Sequence, residues 1–487
     1  MRFATICAIG LCLLTLPLSA QEQAAFRMLP TAGINRISLN PAFAATGTNR
    51  WDVNVVEGSA FFANNYLYFQ NTNTIELLQH LNDEGELQQF DLEAPPAKPG
   101  EEPIIFDYYR GTETRFSQLQ TNFMGPSVAF KIGEQHTIGV FNRFRTQIGT
   151  ADIPANFSYY TYYDRPFEEQ FSVEPFLGAA LSWLEIGLNY SIALPTEQGQ
   201  LRLGISPKWL RGYYGAYVKN NSTFQLEKLP GDSLRSGPLD LEFGYTESLT
   251  DDGDVNFDSG GSGWGVDLGV EYLFGAPEAP WSIGFSILDL GQISFDENAA
   301  RHRLAQADPL TIIGFNDYDD FGSLDDLDML VEQFSTDVLG DSTASLASNS
   351  FSMGLPTAAS LQVKKDFTST LAVAMTYTHP MRVFANSPSR IENLSILPMY
   401  STRWFGVVLP VSVYNWEQVR VGAHLQLAWL HLGTENLLSF VGKGEYNSSD
   451  AYVALKVQPF RSRSDRDQGE LRRRKKRSSE TGCYFGF

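Results

Sequence analysis

The chain has 487 residues, a formal net charge of -20, 41 glycines, 13% aromatic residues and three cysteines. The acidic balance argues against a nucleic-acid partner for the chain as a whole. Beyond residue 20 no stretch approaches the roughly 20 continuous apolar residues of a spanning helix, so a membrane role would fall to strands closed into a β-barrel, the other structure that satisfies every backbone group in lipid.

Residues 1–20, MRFATICAIGLCLLTLPLSA, place one cation at Arg2 before an apolar core from Phe3 to Leu16, with small Ala20 preceding polar Gln21. This pattern predicts a secretory signal peptide cleaved near Ala20, although Leu18 is bulkier than the usual residue at that place. Cys7 and Cys12 would leave with it. Cys483 then remains alone, so neither an internal disulfide nor a cysteine-based zinc site can form. No cysteine stands immediately after the cut, which argues against a lipid-anchored amino terminus.

Residues 21–50 read as an N-terminal arm containing SLNPAFAATG at 38–47. Pro41 pushes Asn40 toward an extended backbone, and the Asn40 side chain can bond a neighbouring chain. The triplet Asn40, Pro41 and Ala42 suits a plug fixed inside or beneath a lumen, and equally an ordinary loop turn.

From 51 to 460 the dominant signal is two-residue alternation. In 419–429, Val419, Val421, Ala423, Leu425, Leu427 and Trp429 form one face, against Arg420, Gly422, His424, Gln426 and Ala428. The pattern recurs at 184–192, 201–209, 264–272, 281–287, 359–363, 371–377 and 451–457, and more weakly near Trp51, Val128, Ile138, Leu241, Phe405 and Leu437. A soluble antiparallel sheet also alternates, with its oily face turned into a core. Here the opposite face carries strand-central Arg202, Lys208, Asp267, Glu271, Lys364, Arg420, His424 and Lys456, as in a wet or plugged lumen. Trp264, Trp281, Tyr377, Trp404, Tyr414 and Trp429 sit at strand ends, where interfacial girdles would place them. The prediction is an all-β, transmembrane antiparallel β-barrel of about 14 strands, within roughly 12 to 16.

Two insertions interrupt the alternation. Residues 70–106 open with helix-like TIELLQHL at 74–81 and turn Pro- and Glu-rich. Residues 296–349 contain a short amphipathic helix marked by Leu324, Leu327, Leu330, Phe334 and Val338, placed in an extramembrane loop or against the barrel mouth. The Gly-rich SGGSGWG at 259–265 lacks a strand before it and a helix after it, and reads as a hairpin tip. Beyond Phe460 lies a basic tail, 461–487, with Arg472, Arg473, Arg474, Lys475, Lys476 and Arg477 in one run and an aromatic end at Phe487.

The chemistry-bearing residues assemble no catalytic motif. There is no G-x-S-x-G and no H-E-x-x-H, and six histidines show no metal-ligand spacing. His424 and His431 fall on opposite faces if 419–431 is one strand. Asp252, Asp254, Asn256 and Asp258 are spaced like a calcium loop, but Phe257 and Gly263 occupy the positions needing Gly and Glu. The frame from Asp317 has Gly322 at position six but Phe321 in place of a ligand. Both read as solvated acidic loops, with weak cation binding left open. We expect no enzyme activity, no cofactor and no metal.

Several segments carry a resemblance: S-x-N-P-A after the signal peptide, SFSMGLPTAASLQV at 350–363, HLGTENLL at 431–438, and YVALKVQPF at 452–460 before the basic tail. Together they resemble Bacteroidota outer-membrane barrels of uncharacterised function and their PorP/SprF-like relatives. The resemblance implies a non-enzymatic structural or partner-anchoring component of the cell envelope, its relatives being associated with type IX secretion and gliding. The N-P-A triplet also resembles the plug of FadL-type transporters, which implies instead a passive outer-membrane channel for hydrophobic or small solutes. Either reading places the mature chain in the outer membrane of a Gram-negative bacterium. The expected partners are outer-membrane lipid, the barrel-assembly machinery (which commonly reads a terminal aromatic, usually on the last strand itself), and periplasmic or envelope proteins through the tail. An even strand number with both termini on the inner side would leave that tail in the periplasm.

Overall fold

The computed structural model describes residues 23–46, 49–82, 88–89, 104–231, 233–246, 260–276, 278–313, 327–442 and 444–457. The signal peptide, the basic tail, both calcium-like loops and Leu324 lie outside the described residues.

Fourteen antiparallel strands close into a barrel, as the alternation predicts. They are β1 (Trp51–Asn64), β2 (Ser117–Met124 continuing as Ser127–Ile132), β3 (His136–Ala151), β4 (Leu177–Thr196) and β5 (Gly199–Asn220). Next come β6 (Leu239–Thr246 continuing as Gly261–Ala276), β7 (Ala279–Phe295 continuing as Ala299–Gln306) and β8 (Leu346–Ser348, Phe351–Gly354 and Ala358–Asp366). The remainder are β9 (Leu371–Pro380), β10 (Asn393–Ser401), β11 (Phe405–Val408 and Val411–Tyr414), β12 (Gln418–Val421 and Ala423–Leu427), β13 (Leu430–Thr434) and β14 (Ser448–Val457). The ring closes where β14 pairs with β1, with Ala60 opposite Ala451 and Val53 opposite Val457.

The two faces of this sheet are inverted relative to a soluble protein. On β4, Ile186, Leu188 and Tyr190 are exposed while Glu185, Asn189 and Ser191 are buried. The same holds on β5 and β12, where Leu203, Ile205, Val419 and Val421 face out and Ser206, Lys208, Arg420 and His424 face in. An oily exterior around a polar interior is stable when the surrounding solvent is hydrocarbon. No described helix is long and apolar enough to cross a membrane.

Turn lengths sort the two ends. At the end holding Trp51 and Val457 the connections are short: β2 to β3, β4 to β5, β6 to β7, β8 to β9, β10 to β11 and β12 to β13. The opposite end carries the long connections, with β11 to β12 a short exception. There, Leu67–Thr72 pairs with Ile105–Tyr108 and Gly444–Tyr446, and a separate four-stranded sheet joins Gln170–Val173, Phe224–Leu229, Ser233–Ser236 and Leu310–Ile313. A helix spans Thr74–Asn82, started by Asn73, whose Oδ1 accepts from the Ile75 and Glu76 amides at 3.0 Å.

Four local readings are corrected. Residues 419–429 are not one strand: β12 stops at Leu427, and Ala428, with φ of 53°, turns the chain into β13. Tyr414 is not an interfacial girdle residue, because it is buried and its hydroxyl donates to Glu435 Oε2 at 2.9 Å. The insertion at 296–349 begins with barrel strand, Ala299–Gln306, before the helix Leu327–Leu339, whose Val338 packs with Phe171, Val173, Phe224, Leu239 and Leu304. The Gly-rich run is strand from Gly261 onward; a Cβ at Gly261 would stand 2.7 Å from the Phe295 ring, so close packing selects glycine there.

Candidate functional site

The lumen is occupied by the arm. Its helical turns, Ala24–Arg27, Pro30–Ser38 and Pro41–Thr46, bury Ala24, Phe26, Leu29, Ile34, Asn40 and Phe43. Phe26 packs 4.8 Å from the His431 ring and 5.8 Å from the His424 ring, with Tyr452 beyond. Arg36 lies over the Phe43 ring at 4.6 Å.

The N-P-A turn is the arm's docking point. Asn40 Oδ1 accepts from the Ala42 amide at 2.9 Å, which closes a local turn. Asn40 Nδ2 donates to Gln362 Oε1 at 2.9 Å and to the Val270 carbonyl at 3.1 Å. Asn189 Nδ2 donates to the Pro41 carbonyl at 3.2 Å, and Ser286 Oγ to the Leu39 carbonyl at 2.7 Å. The turn reaches the wall because Gly204 and Gly269, opposite each other on β5 and β6, leave a notch. A Cβ at Gly204 would overlap the Pro41–Ala42 backbone, and one at Gly269 the Asn40 amide.

A layer of buried charge lies beside it. Lys208 Nζ donates to Asp267 at 2.7 Å and Asp289 at 2.6 Å. Arg145 bridges Asp289 at 2.9 Å and Glu185 at 3.0 Å, and Arg143 holds Glu185 at 2.6 Å. Arg390, from the β9–β10 connection, reaches Asp289 at 2.6 Å. Arg143 also donates to Ser38 of the arm at 2.9 Å, tying layer and plug together. Four cations and three carboxylates thus neutralise one another almost completely, which burial of charge requires. Between this layer and the arm remains a cavity of about 10 Å³, lined by Arg27, Ser38, Gln120, Asn122 and Arg143. That is room for one water.

The polar residues singled out from the sequence line the interior in separate groups. Lys208 and Asp267 belong to the charge layer. Arg202 pairs with Glu271 at 2.9 Å, and Lys364 with Asp366 at 2.7 Å. Lys456 donates to Asn35 of the arm at 2.6 Å and to Asp52 at 2.8 Å. Arg420 bonds Gln418 and lies over the Tyr414 ring at 4.3 Å. His424 and His431, which parity along one strand would separate, meet instead: His431 Nδ1 is 3.4 Å from His424 Nε2. The hairpin at Ala428 resets the parity between them. Arg472, Arg473, Arg474, Lys475, Lys476, Arg477 and Phe487 lie outside the described residues.

Sequence reasoning missed Arg143, Arg145, Glu185, Asp289 and Arg390. Arg143 and Arg145 share parity with buried Gln147 on β3, and so were findable. Asp289 was not, since it sits with φ of 56° at a bulge where the β6–β7 register shifts. Among the described residues, no group of three His, Cys, Asp or Glu side chains could hold a metal ion.

The family comparison covers the plug turn and the barrel through β13. Residues 41–435 match the family of unknown function DUF5723. The chain belongs to the DUF5723 family. The matched span opens on Pro41 of the docking turn and closes on Glu435, which accepts from Tyr414. No curated protein matches this DUF5723 chain. Among solved structures it is similar to the translocator domain of autotransporter NalP from Neisseria meningitidis, at 9% identity and a TM-score of 0.30, covering 85% of this chain and 89% of that one. It is also similar to the CymD monoaromatic hydrocarbon channel (8% identity, TM-score 0.30, 91% and 93% covered) and to the Ralstonia pickettii toluene transporter TbuX (8%, 0.28, 90% and 98%). At these TM-scores the likenesses carry no functional argument.

Proposed function

We propose that this DUF5723 protein is a non-enzymatic outer-membrane β-barrel whose closed lumen makes it a structural or partner-anchoring component of the cell envelope. The observation that carries this reading is the occupied interior: the arm fills the lumen, and the gap left against the charge layer has room for one water. Such a barrel can be exported, assembled and held in lipid without opening a path for solutes.

Bacterial transmembrane barrels keep short turns on the periplasmic side and long loops outside. By that rule, Trp51 and Val457 face the periplasm, and the two extramembrane sheets face outward as a surface for partners. The chain after Val457 then starts from the periplasmic side. Its run of six cations would meet acidic envelope proteins, anionic inner-leaflet lipid or peptidoglycan carboxylates. The PorP/SprF-like resemblance supports this reading and points to a role like that of type IX secretion or gliding components in Bacteroidota.

The alternative, a passive channel of FadL type, requires the arm to leave the lumen. Planar-bilayer recording separates the two. The intact protein is expected to stay silent, and removal of residues 23–46 to open a conductance. Solute-dependent current through the intact protein would overturn the anchor reading. Co-purification of envelope proteins from native membranes tests the anchoring itself.

A further inference from the structure

A second opening lies at the long-connection end of the barrel. The upper parts of β5, β6, β7 and β8, together with the β9–β10 connection, surround an open cleft of about 460 Å³. That volume falls in the range of small-molecule sites, about 300 to 1,000 Å³. Its apolar floor is Tyr217 and Phe351, edge to face at 5.6 Å, which continue into a buried cluster with Trp183, Phe295 and Met353. The cleft is therefore a blind vestibule, independent of whether the lumen conducts.

Its charged groups divide into satisfied and unsatisfied. Glu242 is settled, accepting from the Tyr217 hydroxyl at 2.8 Å and pairing with Lys219 at 3.3 Å. Arg301 is not, since its buried Nε has no hydrogen-bond partner. Asp296 is exposed, and among the described residues neither it nor Arg301 forms an ion pair. Asn386 is held at φ of 56° and is 9% exposed, with Nδ2 donating to the Ser352 carbonyl at 3.3 Å and its buried Oδ1 unpartnered. Buried polar groups without partners are uncommon and call for a ligand or an ordered water.

One vestibule thus offers a guanidinium without a carboxylate, a carboxylate without a cation, and an acceptor without a donor. A carboxylate suits Arg301, which presents a planar fork of donors. An ammonium, with three donors, suits Asp296 and Asn386 Oδ1 together. We infer that this vestibule binds short zwitterionic peptides with free termini, the carboxylate on Arg301 and the ammonium at Asp296 and Asn386. The aromatic floor supplies contact for their backbone and small side chains.

Titration calorimetry of the full chain in detergent, with trialanine as probe, tests the assignment. Trialanine is expected to bind saturably, and its acetylated, amidated form at least tenfold more weakly. Arg301→Met should weaken trialanine at least tenfold, and Asp296→Asn should abolish the preference for a free amino terminus. Arg303→Met, at an exposed pair with Asp240, should change nothing. Heat-modifiable migration of each variant confirms that the barrel has folded. Absence of trialanine binding to the intact protein, equal binding of the blocked peptide, or binding of maltotriose in its place would overturn the proposal.

Discussion

Asn40 in the arm donates to Gln362 Oε1 on β8 at 2.9 Å, across 322 positions of sequence. The same amide reaches the Val270 carbonyl on β6, so one side chain joins the plug to two separated parts of the wall. The Gln362 side chain faces the lumen and the Val270 carbonyl is met from that side, where water cannot replace a lost bond cheaply.

Removing that amide should therefore loosen the arm. Asn40→Leu leaves Gln362 and the Val270 carbonyl short of a donor, at a cost of about 1–3 kcal/mol. Gly269→Val should act more strongly by filling the notch in which the turn sits. Limited proteolysis is expected to cut the arm faster in both variants, with the barrel remaining heat-modifiable.

Lys208 is fully buried between Asp267 and Asp289. Lys208→Met leaves two carboxylates facing each other without their shared cation, and should destabilise the barrel by about 3–5 kcal/mol. Adding Asp267→Asn to that variant should recover part of the loss, because it removes one of the stranded charges. Urea midpoints in detergent read both effects.

The outer face provides a test of the surrounding solvent. Leu188 is 56% exposed at mid-strand on β4. In water, an arginine at such a place would be harmless. Facing hydrocarbon, Leu188→Arg should cost about 2–4 kcal/mol near the midplane. Folding yield into lipid vesicles is expected to fall, whereas Leu371→Arg, exposed at the short-turn end of β9, should be tolerated.

Neutralising the tail separates anchoring from assembly. Replacing Arg472, Arg473, Arg474, Lys475, Lys476 and Arg477 by glutamine should release salt-sensitive envelope partners during purification while heat-modifiable migration stays normal. Unchanged co-purification would remove the tail from the anchoring reading.

How much of this was legible follows from the range of each interaction. Alternation along β4, β5, β12 and β14 assigned inward Lys208, Arg420 and Lys456 and outward Leu188 and Val419 before any fold was known. The pleat that alternates side chains is a property of the local backbone. The same rule failed at Ala428, where a two-residue turn reversed direction inside an apparently continuous pattern, and at Tyr414, whose aromatic ring gave no sign of its bond to Glu435. Gly261 and Gly263 looked like flexibility because what they pack against, the Phe295 ring and the Gln292–Ile293 backbone, lies on the next strand.

The sequence by itself determined an all-β barrel with a polar interior, an apolar exterior and about fourteen crossings, since these depend only on which residue types alternate and how often. Only the tertiary structure decided which inward groups meet: Asn40 with Gln362, Lys208 with Asp289, His424 with His431, and Arg390 with the charge layer. Those meetings depend on strand register, on the bulge at Asp289 and on the path of the β9–β10 connection. A one-residue slip in register would exchange every lumen residue with a lipid-facing one. Register is a relation between distant segments, fixed by closure of the whole ring, and so it has no signature within any single strand.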